Sequence, residues 1–456
     1  YPEWLQAYWA ITSIGAAVVG MNAWWTGPEM VYAINDSTPK VIILDAERLE
    51  RLEPHLEEIG NPALVAVRFD GASVGATPWR DTIATGGSLP DVEIDPDSDV
   101  CIFYTSGTTG FPKGAVLSHL SLLNNARFYA DRLGVSRNSV WINIMPMFHT
   151  SGCGMVTLGC LQAGCKMLIV KLFEPPAICR VIEREKVSTI LGVPTMLVAI
   201  LEALDKESYD VSSVEMFSSG GAMVAPELVR NIKRLFGCGF GTLYGQTETS
   251  PVITQHFPDD SIEDICHTIG QPLPQTEVSI RSVASQKVLP VNDVGEICVR
   301  AYCNMIGYHN NPQATSEAID ADGWLHTGDL GSMDDRGYLK ITGRVKDMII
   351  RGGENMFPAE IENALLEHPE LAEVAVVGIP DDKWGEVIGC FFRTEDNQPA
   401  AAKDLHDFCR ERLSPQKTPT IWCLVEEFPM TGSRKIQKFV LREQFLEGVY
   451  HPLPLN

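Results

Sequence analysis

An α/β fold is predicted for this chain: a large amino-terminal domain of parallel sheets covered by helices, with a small β-rich subdomain, followed by a small α+β carboxy-terminal domain. Three observations predict it. Short apolar, β-branched runs alternate with segments whose apolar residues recur at helical spacing, the signature of a parallel sheet buried on both faces. From about Gly270 the texture changes to short alternating strands, 277–281 and 295–300, separated by tight turns. Beyond Arg344, about a hundred residues repeat strand and helix patterns as a self-contained unit of ordinary domain size.

In chain order, residues 4–20 read as an amphipathic helix and 41–44 as a short strand of β-branched and apolar residues. A polar-faced helix follows over 47–59, then a strand over 64–69 and a Gly-, Pro-, Asp- and Ser-rich loop over 71–97. The apolar run 100–104 is a buried strand, and Ser118 caps a helix over 118–133. Strand 140–145 delivers the turn Pro146-Met147-Phe148-His149-Thr150-Ser151-Gly152. Next come strand 166–170, helix 177–185, strand 189–193 and a helix over 194–204 that opens on Pro194. Strand 214–218 runs into Ser219-Gly220-Gly221-Ala222, and helix 226–236 is closed by Gly237. The tail holds strands 348–350, 373–379, 388–393 and 421–425 and helices 358–367 and 401–413. Domains are therefore expected over 1–345 and 346–456.

With 456 residues and 45% hydrophobic content the chain can bury a large core. A net charge of −23 argues against nucleic acid or an anionic membrane surface as partner, though a local basic loop can still hold an anion. The longest apolar stretch, 9–25, is interrupted by Thr12, Ser13 and Asn22, so no membrane span is expected. The 12 cysteines are scattered through apolar runs without a C-x-x-C pair, which points to reduced thiols in a cytoplasmic protein rather than to zinc or a redox motif.

Residues 104–114 read Tyr-Thr-Ser-Gly-Thr-Thr-Gly-Phe-Pro-Lys-Gly. Glycines let backbone N–H groups converge on an anion, hydroxyls add donors and Lys113 adds a flexible cation. A polyphosphate cradle and a polar surface turn both fit that composition. The spacing around Lys113 is not that of a Walker A loop.

The stretch closely resembles the phosphate loop of the adenylate-forming superfamily: acyl-CoA synthetases, carrier-protein-loading adenylation domains and beetle luciferases. Further segments match that family in the same order along essentially the whole chain. The resemblance implies that Thr105, Ser106, Gly107, Thr108, Thr109 and Lys113 grip the β- and γ-phosphates of ATP. In Tyr244-Gly245-Gln246-Thr247-Glu248 it places Tyr244 on adenine, Thr247 on the α-phosphate and Glu248 on Mg²⁺, while Gly220, Gly221 and Ala222 line the adenine and acyl pocket. It assigns Asp329 to the ribose hydroxyls, Arg344 to ribose and phosphate, and Lys346 to a hinge about which a mobile carboxy-terminal domain turns. The resemblance also implies that Lys435 bridges the carboxylate and α-phosphate during adenylation, and that His149 stands beside the acyl carboxyl group.

The segment Arg351-Gly352-Gly353-Glu354-Asn355 resembles that of the coenzyme A-using members, with Gly352 and Gly353 flanking the pantetheine. An ATP-dependent acyl-CoA synthetase acting on a small carboxylic acid is thus implied. A carrier protein as acceptor and a non-catalytic nucleotide-binding relic are the alternatives. The relic reading is raised by Arg434, which stands where the family has glycine. The identity of the acid and the oligomeric state, a homodimer included, stay open. The family carries further strands and a helix ahead of the position of Tyr1, so a missing start is expected.

Overall fold

The computed structural model describes residues 1–83, 88, 90–105, 112–222, 224–394, 401–430 and 436–455. They divide into two compact units. One comprises residues 1–278, 298–326 and 336–339; the other comprises 279–297, 327–335 and 340–456.

The first unit is built on a seven-stranded sheet. Five of its strands are parallel neighbours, in the order Lys166–Ile169, Val140–Asn143, Thr189–Leu191, Met216–Gly220 and Gly239–Gly245. Val252–Gln255 and Gln271–Pro272 add antiparallel at the far side. The α/β class is therefore observed, with mixed rather than purely parallel sheets. Helices Pro175–Glu185, Pro194–Lys206 and Pro226–Phe236 each open on proline and bury an apolar stripe, including Ile178, Ile182, Leu197, Ile200, Val229 and Ile232, against strand residues Ile142, Ile190, Phe217 and Phe240.

A second sheet pairs Val18–Gly20 parallel with Asp99–Thr105, which runs antiparallel to Lys113–Ser118; Gly307–Tyr308 in turn pairs antiparallel with the other side of Lys113–Ser118. The expected helix over 4–20 stops at Thr12, and residues 18–20 join this sheet instead. The two valines and the glycine lie in register with Cys101, Ile102 and Phe103, so sheet pairing overrides the helical periodicity read from the sequence. The helix expected over 47–59 is likewise an α-helix, Ala46–Leu52, followed by a 3₁₀ turn, Glu53–Glu58; Pro54 lacks the N–H needed to continue the α-helical ladder.

Helix His119–Arg132 ties the two sheets together. Ser118 caps it, accepting from the Ser121 N–H at 3.1 Å. Buried Asn125 then pairs with the first residue of the strand Val252–Gln255: its Nδ2 donates to the Val252 carbonyl at 2.8 Å and its Oδ1 accepts from the Val252 N–H at 3.0 Å. At the helix end Arg132 donates to the carbonyls of Gln255, Gln271 and Pro272.

In the second unit the long hairpin Leu371–Asp381 and Gly385–Thr394 is apolar on both faces. Val374, Val376, Ile388, Cys390 and Phe392 face helices Pro358–Leu365 and Ala402–Arg412. Ala375, Val377, Ile379, Val387 and Phe391 face helix Lys438–Leu446. The near-continuous apolar run of these strands has its cause here: period-two alternation disappears when both faces are covered.

Asn125→Ala would strip two buried backbone groups of their partner. The first thermal unfolding transition should then report a loss of about 2–4 kcal/mol, with the helical circular dichroism of the folded protein retained.

Candidate active site

Three turns leave the carboxyl ends of parallel strands in the seven-stranded sheet, the edge where such sheets bind ligands. Val140–Asn143 leads to Met145–Gly152, Met216–Gly220 to Gly221 and Ala222, and Gly239–Gly245 to Gln246–Glu248. Gly220 lies in register with Leu243, so the last two turns leave the sheet side by side.

Close approach dictates the glycines. A Cβ on Gly220 would lie 2.7 Å from Leu243 Cγ, and one on Gly245 only 1.8 Å from the Pro251 carbonyl oxygen. Gly221 has φ +78°, which side chains disfavour. Tyr244 is buried in register with Thr254, and Gln246 and Thr249 exchange hydrogen bonds around the turn that starts Thr247–Thr249. The Met305 N–H donates to the Glu248 carbonyl at 2.8 Å and fixes that turn from outside.

The Glu248 carboxylate is the meeting point. Its Oε1 accepts from the Tyr308 hydroxyl at 2.8 Å and from Thr105 Oγ1 at 3.4 Å. Thr105 is the last residue of the strand Asp99–Thr105 and lies in register with Lys113, the first residue of the antiparallel strand Lys113–Ser118. The Lys113 ammonium lies 5.1 Å from the centre of the Tyr308 ring, so a cation, a carboxylate and two hydroxyls share one corner. Burial, reinforced by the adjacent Glu248 charge, pushes the Tyr308 phenol far above its ordinary range, and it remains a donor. On the same strand, Tyr104 donates to Asp36 Oδ2 at 2.6 Å and is likewise pushed up by burial and that carboxylate.

The sequence reading missed Tyr308 and also the strand Lys113–Ser118, which pairs antiparallel with Asp99–Thr105 ahead of the helix capped by Ser118. The apolar run 115–117 was the available signal for the strand. Tyr308 had none, because a single tyrosine after glycine carries no spacing information. Residues 106–109 of the loop, Arg434 and Lys435 lie outside the described residues.

His149 is exposed at the turn before the helical segment Ser151–Leu158. Its Nδ1 accepts from the Ser151 N–H at 3.2 Å, leaving Nε2 to carry the proton of the neutral ring. Gly152 lets that turn close, since its Cβ would stand 2.3 Å from the Pro146 carbonyl oxygen.

In the second unit, Arg344 Nε meets Asp329 Oδ1 at 2.9 Å. The Asp329 side chain is 8% exposed, and its N–H donates to Thr327 Oγ1 at 3.1 Å. Lys346 sits in the 3₁₀ turn Val345–Asp347. Gly352 and Gly353, at φ +62° and +84°, are the two-residue loop between the paired strands Ile349–Arg351 and Glu354–Met356. The Gly352 N–H donates to the Trp384 carbonyl at 2.7 Å, and the Trp384 ring takes Lys383 on its face, 4.8 Å from its centre.

Residues 1–309 match the AMP-binding enzyme family, and residues 360–435 match the AMP-binding enzyme C-terminal domain. This chain belongs to the AMP-binding enzyme family. It is an acyl-CoA synthetase, an AMP-forming acid–thiol ligase of the adenylate-forming superfamily. This synthetase is 36% identical to YngI of Bacillus subtilis over 98% of its length and 86% of the relative's. It is 34% identical to the mitochondrial medium-chain acyl-CoA ligase ACSF2 of Homo sapiens, over 97% of this chain and 77% of that one. Among solved structures, ATP-bound MatB from Rhodopseudomonas palustris superposes with a TM-score of 0.85 at 28% identity, covering 98% of the synthetase and 87% of MatB. No helix among the described residues is long and apolar enough to cross a membrane.

Gly245→Ala in this synthetase would force the Tyr244–Glu248 turn away from Pro251. A loss of about 2 kcal/mol or more in stability is expected, and pyrophosphate release should fall in the fraction that remains folded.

Proposed function

We propose that this acyl-CoA synthetase joins a small carboxylic acid to coenzyme A in two half-reactions. A carboxylate oxygen attacks the α-phosphorus of ATP, pyrophosphate leaves and an acyl-adenylate forms. The thiolate of coenzyme A then attacks the acyl carbon, and AMP leaves. The observation that carries this reading is the Glu248 carboxylate held by the hydroxyls of Thr105 and Tyr308 beside the Lys113 ammonium.

Under this proposal Thr105 and Lys113, with Ser106, Gly107, Thr108 and Thr109, bind the β- and γ-phosphates. Tyr244, Gly245, Gln246, Gly220, Gly221 and Ala222 receive the adenine, and Thr247 contacts the α-phosphate. Glu248 would hold Mg²⁺. The donors around it are oxygens, which suits this hard cation. When bound, magnesium offsets the charge of the phosphates. Asp329 accepts the ribose hydroxyls and Arg344 adds a cation to ribose and phosphate. Lys435 offsets the charge that builds as one anion attacks another. His149 lies beside the acyl carboxyl group, and Gly352 and Gly353 lie beside the pantetheine of coenzyme A.

We further propose 1–345 and 346–456 as the working domains, with the turn at Lys346 as the hinge between half-reactions. The 12 cysteines are thiols rather than disulfides, which supports a reducing compartment, and the cytoplasm is proposed. Because ACSF2 is a medium-chain acyl-CoA ligase, medium-chain fatty acids are the substrates proposed first. A pyrophosphate-release panel of straight-chain, branched and aryl acids tests this. Preference for an aryl or short branched acid would overturn the substrate class while leaving the reaction intact.

Lys435→Ala should lower pyrophosphate release by about 100-fold or more and spare thioester formation from supplied acyl-adenylate. Equal loss of both half-reactions would refute its role. Tyr308→Phe removes one of the two hydroxyls holding Glu248. Pyrophosphate release should fall about tenfold, as expected for losing a hydrogen bond to a charged group, and the magnesium concentration for half-maximal rate should rise.

A further inference from the structure

Cys160 and Cys165 stand at the two ends of a single helix closure. The short helix Gly159–Ala163 ends at Gly164, with φ +67°. Gly164 N–H donates to the Leu161 carbonyl at 3.2 Å, and Cys165 N–H donates to the Cys160 carbonyl at 3.1 Å. Those paired bonds form a Schellman motif, which sets the side chain three positions before the cap against the side chain two positions after it. Here those positions are the two cysteines. Both thiols pack into the cluster around Trp141, Met155 and Leu191. The backbone bond between the same two residues holds their main chains close together, one of the conditions a disulfide imposes.

The two thiols are unequal. Cys160 is 4% exposed, while Cys165 is only half-buried and opens to solvent. A hydrogen bond from the Cys160 thiol holds Cys165 below the ordinary thiol range, and the same contact together with burial pushes Cys160 up. The other neighbouring thiols of the first unit, Cys101 and Cys153 beside Tyr8, are both fully buried and offer an oxidant no approach. Neither Cys160 nor Cys165 lies in a turn assigned to the nucleotide; Cys165 leads into Lys166–Ile169, the edge strand of the seven-stranded sheet.

We propose that Cys165 and Cys160 form a redox-active dithiol that reacts with hydroperoxides, Cys165 attacking and Cys160 resolving. The Cys165 thiolate attacks a peroxide oxygen; an S–O bond forms, the O–O bond breaks, and water leaves when the oxidant is hydrogen peroxide. The Cys160 sulfur then attacks the sulfur of the resulting sulfenic acid. The S–S bond forms, the S–O bond breaks, and the hydroxyl leaves as water with the Cys160 proton. Two thiols lose two electrons and one peroxide is reduced to two waters.

The test is to expose the full-length protein to hydrogen peroxide, block the remaining thiols and map its peptides without reduction. The expected product joins Cys160 to Cys165 and is lighter by two hydrogens. The thiol titre in denaturant should fall by two from the 12 of the untreated protein and return with dithiothreitol. In Cys160→Ser, dimedone should trap a sulfenic acid on Cys165; in Cys165→Ser neither adduct nor disulfide should form. An undiminished titre, a disulfide joining other cysteines, or first trapping on Cys160 would overturn the proposal. Should the substitution at buried Cys160 prevent folding, the wild-type peptide map decides alone.

Discussion

Glu248 faces two hydroxyls only because the backbone at Gly245 passes against the Pro251 carbonyl with no room for a side chain. That approach sets the course of the chain from the strand Gly239–Gly245 into the turn Thr247–Thr249. The Met305 N–H holds the turn from the other side. Thr105 then reaches the carboxylate from the smaller sheet, 143 residues earlier in the chain. The first unit's polar corner is thus a product of steric exclusion before it is one of electrostatics. Remove the close approach and the acidic group has no fixed place from which to act.

The second unit solves a different problem. Its hairpin Leu371–Asp381 and Gly385–Thr394 needs helices on both sides, since both faces are apolar. The glycine pair at 352–353 turns the chain at a free end of that sheet. Both residues have positive φ, so the loop is held at its shortest form by conformations other residues adopt with strain.

Much of this was legible in the residues. Proline-started helices, glycine closures and apolar runs gave the parallel core, and Ser118 gave a cap, because each acts over a few neighbouring residues. What escaped depends on partners distant in sequence. Residues 18–20 became a strand because of Cys101–Phe103, and Tyr308 acquired its place through Ala115. The hydroxyl of Tyr308 and the carboxylate of Glu248 are 60 residues apart, and no periodicity connects them. Cys160 and Cys165 escaped for another reason: their spacing matches no familiar thiol motif, and a helix closure brings them together.

The Asp329–Arg344 pair has a consequence for recognition. Under the role proposed for Asp329, a ribose does not meet a bare anion but displaces a guanidinium already seated on it. Binding becomes an exchange of partners, in which Asp329 trades the guanidinium for the diol and Arg344 trades the carboxylate for ribose and phosphate, and its strength is the new contacts less the ion pair given up. Such a carboxylate carries its own counter-ion as a placeholder. A nucleoside lacking the vicinal diol would then fail twice, offering no replacement contact and leaving the resident arginine with no reason to leave.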